Sequence, residues 1–319
     1  MNIVFFGSGE FGVPTLARLA KEHSVLAVVT QPDRPAGRSR VDTPTPVGAW
    51  ATANLPGVPL LKPVNVNEPA MLAQVRGYDS EAWVVIAFGQ KLSPSLLADR
   101  FAINLHASLL PRWRGAAPIN HAVLAGDKVT GNSVITLADR MDAGLVLGQT
   151  NREIRPLLTA GDLHDQLASD GPSLVLDVLA RHASGSLAPV TQDESKVTLA
   201  GKLSRADGWV EFGDEAELCR QRIHGLTPWP GVAVTINGIE LKVLKCLAEE
   251  DQSGRPVYHN GALPGELLDR SQGLIACGDA TVLRLLEVQP AGKKPMSWHA
   301  FAMGHTVKAG DRVLCSSRS

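Results

Sequence analysis

Residues 2–30 read NIVFFGSGEFGVPTLARLAKEHSVLAVVT. The first five, Asn2 to Phe6, make a short apolar run of the kind found in a strand buried on both faces. Gly7, Gly9 and Gly12 follow at once, and then Val13, Leu16, Ala17, Leu19 and Ala20 recur at helical spacing. Residues 25–30, VLAVVT, return to a β-branched apolar run. Strand, glycine turn, helix and strand make one βαβ unit, whose crossover is right-handed. Outward from it, the spacing predicts further strands over 83–88 (WVVIAF), 101–105 (FAINL) and 132–137 (NSVITL). Helices are predicted near 67–76, 116–125 and 160–183. Continuous apolar strands alternating with helices specify an α/β fold, a doubly wound parallel sheet covered on both faces. Such sheets place their working groups beyond the carboxyl ends of the strands.

The pattern changes past residue 185. Residues 184–198, SGSLAPVTQDESKVT, are small and polar without periodicity and read as connecting chain. Beyond 205, short strands separated by turns take over. Runs at 232–236 and 239–244 flank Asn237-Gly238, a strong two-residue hairpin signal. Runs at 273–277 and 281–288 flank a second turn at Gly278-Asp279. The expected organisation is a first domain over 1–189, a linker over 190–205 and a small antiparallel β-barrel or sandwich over 206–319.

Charge narrows the partners. Lys plus Arg total 31 against 32 Asp plus Glu, a net charge of −1, and the halves on either side of residue 190 are each nearly neutral. A nucleic acid must therefore meet a local patch, not a global field. With 44% hydrophobic and 20% charged residues, the 319-residue chain can bury ordinary cores. Cys219, Cys246, Cys277 and Cys315 lie far apart with no C-x-x-C pair, which excludes a dense disulfide scaffold and gives no zinc spacing. The N-terminus has no basic segment before its apolar run, and no stretch nears the roughly 18 apolar residues that span a bilayer. A cytoplasmic protein is expected, with no membrane partner and no metal.

Gly7-x-Gly9-x-x-Gly12 matches the glycine part of a dinucleotide fingerprint. The fingerprint also needs an acid ending the second strand. Here that strand ends Val29, Thr30, Gln31, and Asp33 comes only after Pro32. A tight strand-to-helix turn accounts for the glycines without NAD.

The densest chemistry lies in 103–120, INLHASLLPRWRGAAPIN. Asn104 and His106 stand two apart at a strand's carboxyl end, so amide and imidazole share a side. Acyl transfer needs such a pair, one group to hold charge on oxygen and one to move a proton. Leu109, Leu110 and Pro111 put apolar surface in a loop beside Arg112, Trp113 and Arg114, which suits a flat heteroaromatic ligand carrying anions. Asp142, in DRMDAG at 139–144, is placed to meet His106 and fix its tautomer, with Asp139 as the competing carboxylate. In the 31–46 loop, Arg34, Arg38 and Arg40 make a positive arm suited to phosphates. Pro32, Pro35 and Gly37 should keep that loop out of helix and sheet.

Taken together, these blocks resemble the methionyl-tRNA formyltransferase family over essentially the whole chain. INLHASLLPRWRGAAPI is similar to its central motif nearly letter for letter. GSGEFGVPTL, QPDRPAGR with TPTPV, VVIAFGQKL, KLSRADGWVEF, TPWPG and QPAGKKPM resemble its other blocks. The resemblance implies a Rossmann-like N-terminal domain and a C-terminal OB-like β-barrel domain. It implies formyl transfer from 10-formyltetrahydrofolate, a reduced folate, to initiator methionyl-tRNA by a monomer. It makes Asn104, His106 and Asp142 the catalytic group, and Ser108, Leu109, Leu110 and Pro111 the folate-contacting segment. It makes the 31–46 loop, with Arg34, Arg38 and Arg40, the arm that meets the tRNA; because that arm is less basic here than in the family, Lys293 and Lys294 are expected as further tRNA contacts. Two stretches depart from the family. After Asp142 it commonly reads Gly-Leu-Asp-Thr-Gly, where this chain has Gly144-Leu145-Val146-Leu147-Gly148. After Arg38 it often reads Gly-Lys-Lys, where Ser39, Arg40, Val41 and Asp42 follow here. Other readings are a different folate-dependent formyltransferase, a formyltetrahydrofolate hydrolase, a non-catalytic tRNA- or folate-binding paralogue, and an NAD-binding oxidoreductase.

Overall fold

A computed structural model describes residues 1–36 and 41–315. The chain opens with β1 (Asn2–Gly7), α1 (Val13–Glu22) and β2 (Ser24–Val29), with one 3-10 turn at Glu10–Gly12 between β1 and α1. A ribbon of β3 (Arg34–Ala36) and β4 (Val41–Thr43) comes next. Then follow α2 (Pro46–Asn54), β5 (Leu60–Leu61), α3 (Pro69–Arg76), β6 (Ala82–Ile86), α4 (Pro94–Leu97) and β7 (Ala102–His106). The middle of the chain holds β8 (Arg114–Gly115), α5 (Pro118–Leu124), β9 (Val129–Thr136), β10 (Val146–Glu153), α6 (Ala160–Ala183) and β11 (Leu199–Ala200).

Seven strands form one sheet in the order β10-β9-β7-β6-β1-β2-β5. β1 pairs parallel with both β2 and β6, β2 with β5, and β6 with β7. This is the doubly wound α/β sheet that the opening stretch specifies. β1 is buried along its length except at its first residue, Asn2, and β6 throughout, which explains their unbroken apolar runs. Val4, Phe6, Val29, Trp83, Phe88 and Leu96 share one core cluster. Each such Phe or Val contributes about 1.5–3 kcal/mol by leaving water. Gly7 has no room for a side chain: a Cβ there would stand 2.6 Å from the Phe5 ring and 2.9 Å from the Ile86 carbonyl oxygen. The first glycine of the motif is thus demanded by the chain's packing on itself.

Two features differ from the expectation. β9 pairs antiparallel with β7, so the sheet is mixed beyond β7. The 31–46 segment is not free of sheet: Arg34 pairs with Thr43, Pro35 with Asp42 and Ala36 with Val41. A strand with one free edge tolerates a proline that lacks an N–H, which is why Pro35 does not prevent the pairing. Arg38 and Arg40 lie outside the described residues.

The remaining α-helices and strands are α7 (Ala216–Gly225), β12 (Val232–Ile236), β13 (Ile239–Ala248), β14 (Leu267–Asp269), β15 (Leu274–Ala276), β16 (Val282–Pro290), β17 (Met296–Ser297), α8 (Trp298–Gly304) and β18 (Val313–Cys315). Their sheet runs β14-β15-β16-β13-β12-β18, with β17 on β16. Asn237 and Gly238 turn β12 into β13 with φ of 49° and 77°, the left-handed pair that a tight hairpin needs. The two edges of the sheet meet: Leu267 N–H donates to the Asp311 carbonyl at 2.8 Å and Val313 N–H to the Gly265 carbonyl at 2.7 Å. Closure removes the exposed edges and makes an OB-like barrel around Val234, Val243, Leu285, Trp298 and Phe301.

Packing divides the chain into two compact units. One comprises Met1–Gly115, Gly131–Arg152 and His164–Leu199, and the other Ala116–Thr130, Glu153–Leu163 and Ala200–Ser319. Among the described residues, no helix is long and apolar enough to cross a membrane, and no group of three or more His, Cys, Asp or Glu is arranged to hold a metal ion.

Candidate active site

β7 ends at His106, which pairs across the sheet with Ser133 of β9 and is 7% exposed. Its Nε2 lies 2.9 Å from the Trp113 carbonyl oxygen. A carbonyl can only accept, so Nε2 carries the ring hydrogen and Nδ1 is left as the lone-pair nitrogen. Nδ1 faces Asp142 Oδ2 at 3.6 Å. Asn104 is half-buried two residues earlier, on the same face of β7. An amide, an imidazole and a carboxylate thus gather at the carboxyl end of a central strand, where α/β sheets carry their chemistry.

Asp142 is set by its neighbours. Gly115 N–H donates to its Oδ2 at 2.9 Å. Its φ is 53°, a left-handed conformation that Asp adopts more readily than most residues. Two residues on, a Cβ at Gly144 would overlap the Thr136 carbonyl oxygen, so only glycine lets the loop pass that close to β9. Asp139, the competing carboxylate, is exposed.

The segment after His106 is held from behind. Ser108 is fully buried and its hydroxyl donates to the Arg112 carbonyl at 2.6 Å. Ser133 Oγ donates to the Ser108 carbonyl at 2.6 Å and accepts Leu110 N–H at 3.1 Å. Gln149 Nε2 donates to the Leu110 carbonyl at 3.0 Å and to Ser133 Oγ at 2.8 Å. Leu110 is buried, while Leu109 and Pro111 are half-buried. The loop therefore offers apolar faces on a hydrogen-bonded frame, which fits a flat heteroaromatic ring. Neither Ser133 nor Gln149 stood out in the sequence, although a serine inside an apolar strand run is the signal that would have marked the first.

The departure after Asp142 has a structural account. Val146 exchanges backbone hydrogen bonds with Val190 at 2.8 and 2.9 Å, and Leu147 is buried. Both positions serve strand packing.

Of the candidate phosphate contacts, Arg34, Lys293 and Lys294 are solvent-facing. Arg34 is exposed, with Nη2 3.4 Å from Gln31 Oε1. Lys293 and Lys294 are exposed in the turn between β16 and β17. Arg34 belongs to the first unit and the two lysines to the second.

Comparison with known proteins bears on these two units. Residues 1–179 match the formyl transferase family, and residues 202–306 match the formyl transferase C-terminal domain. The methionyl-tRNA formyltransferase of Methylococcus capsulatus is 38% identical over 98% of this chain and 99% of its own. Among solved structures, the sugar 3N-formyl transferase WlaRD superposes with a TM-score of 0.65 at 14% identity, over 92% of this chain and 99% of its own. HypX from Aquifex aeolicus, solved with tetrahydrofolic acid, gives 0.62 at 14% identity over 95% of this chain. The chain spans about half of HypX, 47% of its length. At such identities the two structures speak for the fold, and the sequence relative speaks for the family. The chain belongs to the methionyl-tRNA formyltransferase family and is a formyl-group transferase.

Proposed function

We propose that this protein transfers the formyl group of 10-formyltetrahydrofolate to the α-amino group of initiator methionyl-tRNA, as a cytoplasmic monomer. The observation that carries the reading is the 3.6 Å approach of Asp142 to His106 at the end of β7, beside Asn104. The amino group of an aminoacyl ester is no more basic than a reference α-amine, about 7.7–8.0, so a useful fraction is neutral at about pH 7. The folate supplies the formyl carbon as electrophile and leaves with a proton on N10. Asn104 donates to the formyl oxygen as charge builds there. His106 Nδ1 takes the proton that the amine loses and returns it to the departing nitrogen. Asp142 steadies the imidazolium between those two transfers. No bond to the protein forms.

Ser108, Leu109, Leu110 and Pro111 form the folate side, through the faces of Leu109 and Pro111. Arg34, Arg38 and Arg40, with Lys293 and Lys294, meet the tRNA. Residues 1–189 act as the catalytic domain and 206–319 as the tRNA-binding domain. The test offers the protein 10-formyltetrahydrofolate with charged initiator tRNA, with an amino-sugar nucleotide, or with water alone. Formylated methionyl-tRNA is the expected product. Formyl sugar alone, or formate alone, would move the protein to a sugar formyltransferase or a hydrolase.

A further inference from the structure

We infer that Gln192 is a positioning residue for formyl transfer, clamping the loop that carries Asp142. The inference rests on reading Asp142 as the working partner of His106. Gln192 Nε2 donates to the Asp142 carbonyl and to the Gly144 carbonyl, both at 2.8 Å. Its Oε1 accepts Arg114 Nε at 2.9 Å and Arg114 Nη2 at 2.8 Å. Both hydrogens and both lone pairs of the amide are in use. Carbonyls only accept and a guanidinium only donates, so the amide has one possible orientation.

The two central side chains of the clamp are buried. Gln192 is 7% exposed and Arg114 4%. Arg114 is balanced by Glu194 at 2.9 Å, which Arg140 also meets at 2.9 Å. These two arginines hold the Glu194 carboxyl below its ordinary range. The residue after Arg114, Gly115, gives its N–H to the Asp142 carboxylate. Asp142 is thus tied at both ends to one two-residue strand, β8, by its side chain through Gly115 and by its backbone through Gln192 and Arg114. That double tie fixes a left-handed aspartate and aims its carboxylate at His106. Buried polar networks of this kind hold position only when complete.

Gln192→Glu tests it. The variant is isosteric and keeps the Arg114 contact, but sets an oxygen against two carbonyls. kcat should fall about 10–100-fold, as when a supporting shell is broken or a group moves by an ångström. KM for charged tRNA and for the formyl donor should stay within about threefold, because neither substrate is touched. In an Asp142→Asn background, Gln192→Glu should cost less than about twofold more, since both act through one carboxylate. Hydrogen exchange at the Gly115 amide should quicken at least about tenfold while β7 stays protected. Should Gln192→Glu not fold, Gln192→Met, without donors or acceptors of that kind, is read in the same way. A folded variant with wild-type kcat, or a loss that multiplies fully with Asp142→Asn, would overturn the inference. Failure of the underlying reading is seen separately, as wild-type kcat in Asp142→Asn alone, and it would overturn the inference as well.

Discussion

Two buried histidines, one in each unit, have opposite surroundings. His106 gives its Nε2 hydrogen to a carbonyl and turns Nδ1 toward a carboxylate. His224, fully buried beside the barrel, accepts the Cys246 N–H on Nε2 at 3.0 Å, so its hydrogen sits on Nδ1 near the Pro156 carbonyl. Arg220 Nη1 stands 3.5 Å from that Nδ1. A second proton on His106 would meet Asp142. A second proton on His224 would meet a peptide N–H and lie beside a guanidinium. Burial first and the Arg220 charge second push His224 down to about 4, with Lys245 adding to the fall and Asp162 opposing it. Burial alone does not make a histidine catalytic. What faces its free nitrogen decides whether it can take up a proton and give it back.

The largest effect should separate the two rings by function. His106→Ala should lower kcat about 10²–10⁴-fold, and Asn104→Ala about 10²–10³-fold. Both should stay folded, with a smaller drop in the urea midpoint than His224→Ala shows, which an unfolding titration checks. His224→Ala should do the reverse: about 3 kcal/mol of stability lost, from a cavity and an unpaired Cys246 N–H, with kcat kept in the folded fraction. Equal losses of stability in both variants would break the contrast.

Acid should sharpen it further. The folded-state value of His224 lies below its ordinary 6.5, so between 6.5 and about 4 the unfolded chain binds the proton and the folded chain does not. Its contribution is therefore whole above 6.5 and fades as pH falls toward 4, a loss of about 3 kcal/mol. Unfolding titrations across that window should show the decline in the wild type and a shallower one in His224→Gln.

The smallest effect lies away from both rings. Arg38→Ala should raise the tRNA concentration needed by a few-fold at low salt and shift stability by less than about 0.5 kcal/mol. Raising the salt should shrink the difference. An unchanged tRNA dependence at low salt would move that contact to the region of Lys293 and Lys294.

Much of this was legible in the sequence because it is local. Residues 2–30 form their strand, helix and strand from apolar spacing, and Asn237-Gly238 forms its hairpin from two residues. Asn104, His106 and Asp142 were legible by chemical type and place along the chain. What escaped depends on partners far off in sequence. Gln192 lies in a stretch that reads as connecting chain, and its two acceptors are 50 and 48 residues away. The direction of β9 against β7, and the closure of the barrel between 265–267 and 311–313, are set by tertiary packing that no local pattern encodes. Pro35 misled because its missing N–H counts only where a neighbour needs it.

On the proposed function, His106 and Asp142 act as one unit at the end of β7. The direct measurement is the single-turnover rate of formyl transfer to charged initiator tRNA by His106→Ala, Asp142→Asn and the double variant. Residues that act as a unit lose little more when both are removed than when one is. All three rates should therefore lie at least about 10²-fold below wild type and within about threefold of one another. A wild-type rate in Asp142→Asn, or losses that multiply in the double variant, would contradict the account.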